Sequence, residues 1–462
     1  MIVSFDDGVK LGCGSVIVAP NHKMNWVRLL SGLFRGTLRC AAAILLSAAG
    51  ALAQASATQP PAVSSAQSLL TQADEVLAEM SRITGLPIKA PLKKLVLPRG
   101  EIRKYLEESL HEEYTPEEIH TQEAVLKAFG LVSREFDLAK FLISFYTEQA
   151  AGAYDPRRKT MFIADWPTPE MQRLVLAHEL THALQDQNFD LVKFLRAQRS
   201  NDDATNARQA VMEGHATAAM LQRMLGPVSL SSIPSLEPLL ASMVNQQMTE
   251  FPAFTSAPYF FRLQALFPYA QGMGFMYTGL QRGGWETLNE LFERPPETTK
   301  EIFDPSFYYE SESLPAISLD RPPALEGVSG LRVLTENTFG ELGYYSLLGQ
   351  FISEEDAKTV ATGWLGDRYI LYEGSTAGQL TLVARTRWAS PETALAFFRD
   401  YHTILSKKYP ELTPDKRSTT DLFIGSAANG QVILLRKGEE CLWAEGVPAA
   451  KTDAMLTWIG SL

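Results

Sequence analysis

The stretch LVLAHELTHALQDQ, Leu174 to Gln187, decides how this chain is read. Thr168-Pro169-Glu170 ahead of it is a helix-start signal, and Leu174, Val175, Ala177, Leu180 and Leu184 repeat at helical spacing. The spacing predicts a helix with His178 and His182 one turn apart on a single face, able to grip one metal ion. Zinc suits neutral imidazole nitrogen and can keep a position open for water. Glu179 projects beside such an ion, which lowers the pKa of bound water to about 7. Its carboxylate can take a proton there and later deliver it to a leaving group. Three fixed letters in five recur by chance, so the plain alternative is a helix with two partly buried histidines and a surface glutamate.

The flanking sequence bears on that choice. Upstream, Asp137 begins a helix through Phe141, Leu142 and Phe145. Two β-like runs, Ala151 to Tyr154 and Thr160 to Ala164, then flank the turn Asp155-Pro156-Arg157-Arg158 and predict a hairpin suited to offering an edge to an extended ligand. Downstream, a helix from about Asp202 to Met224 carries Glu213, which can serve as a third ligand; Gly226-Pro227 stops it. His215, two residues from Glu213, points away from it on a helix and is read as no ligand. Residues 230–291 read mostly helical, punctuated by Gly283-Gly284-Trp285.

HELTHALQDQ (His178 to Gln187) with VMEGHA (Val211 to Ala216) resembles the gluzincin metallopeptidases, whose third ligand is a glutamate on the following helix. More closely, it is similar to a group of exported bacterial proteins of the peptidase-MA type, with HExxHALQDQ followed by an EGxA helix. The resemblance takes in GAYDPRRKTMFIA (Gly152 to Ala164), FPYAQGMGF (Phe267 to Phe275), GGW (Gly283 to Trp285), PPETTKEIFDP (Pro295 to Pro305) and GWLGDRYILYEG (Gly363 to Gly374). It implies His178, His182 and Glu213 as zinc ligands, Glu179 as general base, and a peptide or protein as substrate. Thermolysin-like enzymes place an aspartate four residues after the ligand glutamate; here that position is Thr217. Asp186, one turn after His182, either supports that histidine instead or has an ordinary surface or capping role. A donor for the developing oxyanion is also needed. Tyr269 is the first candidate and Tyr154 the second, against the ordinary fate of a buried tyrosine, packing and hydrogen bonding.

The remaining sequence frames this core. With 462 residues, 45% hydrophobic and 21% charged, the chain reads as globular with two or three units. A net charge of −11 without long basic runs argues against nucleic acid as partner. Residues 24–55 have the layout of a secretory signal: Arg28, Arg35 and Arg39, an apolar run from Ala41, then Ala51-Leu52-Ala53. Residues 1–23 are out of place before it, which points to a start at Met24. The apolar run is short of the roughly 20 residues of a membrane span, so cleavage and export to the periplasm or medium are expected rather than anchoring. Of Cys13, Cys40 and Cys441, a processed chain keeps only Cys441, read as buried and inert.

The expected organisation is an α+β chain: signal 1–55, helical region 56–135, mainly helical zincin-like core with a short hairpin 136–310, connection 311–357, and a small α+β unit 358–462. Oligomeric state is left open. Two other readings stand beside a zinc peptidase: a non-catalytic zinc scaffold that binds a partner, and a structural protein with an accidental HExxH.

Overall fold

The computed structural model describes residues 66–149, 151–164, 169–198, 200–236, 238, 240 and 251–462; the signal-like segment at 24–55 lies outside them. The chain is α+β, mostly helical, with two sheets among the described residues. Helix α1 (Ala66–Thr84) leads to strand β1 (Lys93–Leu97), then α2 (Arg99–Glu113), α3 (Pro116–Phe129) and α4 (Leu138–Gln149). Helix α3 starts on a capping box, with Thr115 and Glu118 satisfying each other's backbone amides, and ends on Gly130 at φ 78°.

The hairpin β2 (Gly152–Asp155) and β3 (Thr160–Ala164) forms where expected. Sequence reading missed its neighbour: β1 pairs parallel with β3, giving the order β1-β3-β2. The region 56–135 is therefore not purely helical. Lys93-Lys94-Leu95-Val96-Leu97 is too short an apolar run to show a period of two, and only its distant partner makes it a strand.

Helix α5 (Pro169–Phe189) carries the HELTH stretch, followed by α6 (Leu191–Arg196) and α7 (Asp202–Leu225). Helix α7 is buried continuously from Asp202 to Leu221. Ala204, Ala207, Ala210, Ala216, Ala218 and Ala219 keep its girth small, so neighbours close in on every side. The short helix α8 (Pro252–Ser256) is followed by the long α9 (Tyr259–Glu290). Helix α9 crosses α7 at backbone contact. A Cβ at Gly214 would lie 2.7 Å from the Gly272 carbonyl, and one at Gly272 would lie 2.5 Å from the Ala210 oxygen. Helix α9 is broken near its end by Gly283 and Gly284, the latter at φ 69°.

Helices α10 (Thr299–Phe303) and α11 (Pro305–Tyr309) precede β4 (Arg332–Asn337), α12 (Gly340–Phe351) and α13 (Glu354–Ala361). The stretch read as a connection thus supplies two helices and a strand. β4 is the edge of a seven-stranded antiparallel sheet, order β4-β5-β6-β10-β9-β8-β7. Its other strands are β5 (Trp364–Glu373), β6 (Leu380–Trp388), β7 (Thr413–Pro414), β8 (Leu422–Ala427), β9 (Gly430–Lys437) and β10 (Glu440–Val447). Helices α14 (Pro391–Lys408) and α15 (Thr452–Ser461) complete the chain. Cys441 is buried in β10 as a free thiol. No described helix is long and apolar enough to cross a membrane.

A polar seam joins this sheet to α7. Thr299 Oγ1 donates to Asp203 at 2.5 Å and accepts from the Leu342 amide at 3.1 Å. Asp367 on β5 accepts from the Phe339 and Gly340 amides at 2.8 and 2.9 Å, capping α12. Gly340 has φ 77°, and a Cβ there would meet Asp203 at 1.9 Å, so only glycine fits.

Replacing Gly272 by alanine should lower stability by about 1–3 kcal/mol, because backbone must move to admit the methyl. Gly274→Ala, in the same helix with nothing near its Cβ, should be neutral or stabilising. Equal melting temperatures for both variants would contradict the close crossing.

Candidate metal centre

Helix α5 holds His178 and His182 on one face, and α7 brings Glu213 against them. His178 Nε2 lies 3.1 Å and His182 Nε2 lies 3.2 Å from Glu213 Oε2, and the two nitrogens are 3.0 Å apart. A tetrahedral ion with bonds of about 2.0–2.1 Å spaces its ligand atoms about 3.3–3.4 Å apart. The triangle is within a few tenths of an ångström of that size. Among the described residues, this group of three could hold a metal ion. Two imidazoles and a carboxylate suit zinc, and they also suit iron(II).

All of these groups are shielded from water: His178, Glu179, His182, Glu213 and Tyr269 are 2, 1, 6, 5 and 2% exposed. Burial lowers the pKa of His178. In His182 burial also disfavours charge, but Glu213 outweighs it and holds the ring protonated up to about 9. Glu213, although buried, is kept below the usual carboxylate range by His182 and His178. A cation bound between these groups would take the place of that proton.

Glu179 Oε2 accepts the Tyr154 backbone amide of β2 at 2.6 Å. Its other oxygen is buried without a hydrogen-bond partner among the described residues. Burial pushes this carboxyl up to about 8, with Glu213 adding to the rise and His182 opposing it. A buried acceptor left open beside a three-ligand group is equipped to take a proton from a molecule entering the site.

The two candidate tyrosines have different fates. Tyr269 on α9 lies with its ring 6.0 Å from that of His178. Burial raises its pKa well above 10, and Glu213, Glu179 and a hydrogen bond to Glu213 add to the shift. The α7–α9 crossing places it there, one turn before Gly272. Tyr154 instead donates its hydroxyl to Asp186 at 2.6 Å.

Asp186 does not support His182. It accepts from Tyr154, from Lys159 Nζ at 2.6 Å and from the Leu191 amide at 3.1 Å, tying the hairpin to α5. Gln185 touches the histidine: its Oε1 lies 2.8 Å from His182 Nδ1. Sequence reading missed it, although position i+3 on the same helix face was a usable signal. Thr217 Oγ1 is buried and has no hydrogen-bond partner among the described residues. His215 is outside the ligand triangle, as its spacing implied.

Residues 126–222 match the family described as the IrrE N-terminal-like domain, peptidase M78. That similarity supports a metallopeptidase-like family and, with it, a peptide or protein substrate. The matched span contains His178, Glu179, His182 and Glu213 and stops short of Tyr269. Residues 330–456 match a domain of unknown function (DUF8575), which begins just before β4 and ends within α15. No curated protein and no solved structure matches the chain.

The Glu179 shift has a stability consequence. Its folded pKa of about 8 exceeds the ordinary 4.5, so the native state binds this proton more tightly than the unfolded chain does. Its contribution to stability therefore falls as pH rises from about 4.5 to about 8. The metal-free Glu179→Gln protein should gain in melting temperature over metal-free wild type on going from pH 5 to pH 8. A difference that does not change with pH would contradict burial as the source of the shift.

Proposed function

We propose that this chain is an exported zinc metallopeptidase of the gluzincin type, with a zincin-like core, that hydrolyses peptide bonds outside the cytoplasm. The observation that carries this reading is the His178–His182–Glu213 triangle with the open carboxylate oxygen of Glu179 beside it. Export rests on the signal-like layout of residues 24–55.

Zinc, when bound, supplies a Lewis acid that polarises a carbonyl and acidifies water. The chain's own residues do the rest. His178, His182 and Glu213 hold the ion with two neutral rings and one negative charge. Glu179 takes the water's proton on its unpartnered oxygen and returns it to the departing amine. Its second oxygen stays on the Tyr154 amide, which fixes the carboxylate's orientation. The Tyr269 hydroxyl is the group at hand to donate to a developing oxyanion.

One alternative has an observation in its favour. The near-complete burial of all five residues suits a closed, non-catalytic metal site in a partner-binding scaffold. Three protein ligands favour catalysis, because structural zinc sites are usually closed by four.

Metal analysis should find one zinc per chain, and peptide-library profiling should show cleavage abolished by a chelator. Glu179→Gln should keep the metal and lose about 10²–10⁴-fold in kcat. Full activity in that variant would refute the mechanism. Bound zinc with no turnover of any peptide would favour the scaffold.

A further inference from the structure

We infer that Gln185 and His215 form a polar relay that fixes the His182 ring with its proton on Nδ1, so that Nε2 faces the metal. This rests on the metal centre proposed above. It also assigns a role to the N-terminal helix α1, where the relay ends.

The polarity of the relay is dictated from both ends by backbone carbonyls, which can only accept. At the far end, Asn289 Nδ2 donates to the Thr84 carbonyl at 2.9 Å. That turns Asn289 Oδ1 towards His215 Nε2, 3.1 Å away, which must then carry the proton. The other nitrogen of a neutral His215, Nδ1, is left as an acceptor. Gln185 Nε2 lies 3.1 Å from it. The same nitrogen donates to the Met212 carbonyl at 2.9 Å, so both amide hydrogens are used. Gln185 Oε1 is left to face His182 Nδ1 at 2.8 Å, and an amide oxygen cannot donate. His182 therefore carries hydrogen on Nδ1, and when the ring is neutral, as a metal ligand must be, its lone pair is on Nε2.

The opposite orientation of Gln185 is excluded by its surroundings. It would set the amide oxygen against the Met212 oxygen and bring two acceptors together in a buried site. Gln185 and His215 are both fully buried, so water cannot compensate. The His215 ring is held edge-to-face between Trp285 and Phe292, with both centroids 5.5 Å away. Trp285 and Asn289 follow the Gly283–Gly284 break in α9, and that break aims the final turns of the helix at His215.

Thr84 is the last residue of α1, and its carbonyl is one that a helix end leaves unpaired. The relay supplies its partner. Helix α1 is thus a structural support of the metal site, joined through Asn289, His215 and Gln185 to a ligand ring. Gln185 and His215 are positioning residues: they act through His182 and touch no reacting atom.

The test uses the full chain and zinc alone as probe, with affinity read by competition against a chelator of known strength. Gln185→Met keeps the length of the side chain and removes the amide; it should weaken zinc binding about 10–100-fold. Gln185→Glu restores an acceptor for His182 Nδ1 but sets its second oxygen against the Met212 carbonyl, so it should recover only part of that loss. His215→Phe, one bond further out, should cost less than Gln185→Met. In the zinc-loaded wild type labelled with ¹⁵N-histidine, the His182 resonances should show a protonated Nδ1 and a metal-bound Nε2. Equal zinc affinity in wild type and Gln185→Met, or a proton on His182 Nε2 in the loaded protein, would overturn the relay while leaving the metal centre standing. A wild type that binds no zinc would instead remove the metal centre, and the relay with it.

Discussion

Two glycines let the backbones of α7 and α9 touch, and the place of Tyr269 beside the candidate metal group depends on that contact. Gly214 directly follows Glu213 of the candidate metal group, and Gly272 lies one turn after Tyr269. With any side chain at the crossing, the two helices would have to separate, and Tyr269 would move away from Glu213 and His178. The alanines of α7 extend the same logic on the parts of its surface where they lie. Helix α5 then needs only its own 3.6-residue period to present two histidines to Glu213.

The polar groups buried in this core fall into two kinds. One kind is saturated: Asp186 takes three donors, Asp367 three, and Gln185 uses every hydrogen-bonding atom it has. These groups fix the hairpin, the α12 start and the His182 ring. The other kind is deliberately incomplete, and Glu179 is the clear case, with one oxygen anchored on β2 and the other open. A low-dielectric setting makes an unfilled acceptor costly unless something arrives to fill it. Other buried atoms among the described residues also lack a partner, Thr217 Oγ1 for one, and it is the place of the Glu179 oxygen beside the ligand triangle that gives it meaning.

How much of this was legible follows from how local each signal is. His178, Glu179 and His182 were readable because a helix converts spacing into a shared face. Glu213 was readable as a possible partner on a later helix, and the resemblance to gluzincins narrowed it to a ligand. Gln185 lay within the same quoted stretch and was passed over in favour of Asp186. A carboxylate is the commoner support for a metal-bound histidine, but here the hairpin engages Asp186 through Tyr154 and Lys159. Strand β1 and edge strand β4 were not legible at all: each is short, and each becomes a strand only through a partner distant in the chain. Asn289 belongs to the same class, since nothing near it in sequence announces a histidine 74 residues away.

The two pairings of the three-stranded sheet differ in the chain entropy they cost. β2 and β3 are joined by a tight turn and can pair as soon as they are made, whereas β1 must wait for α2, α3 and α4 to fold back before it reaches β3. Closing that longer loop costs more chain entropy and slows its formation. The strand that delivers its amide to Glu179 therefore needs only a local partner, and the parallel strand β1 closes on the far side of β3 at a higher entropic cost. The edge that faces Glu179 is thus built from local contacts, and only its backing is long-range.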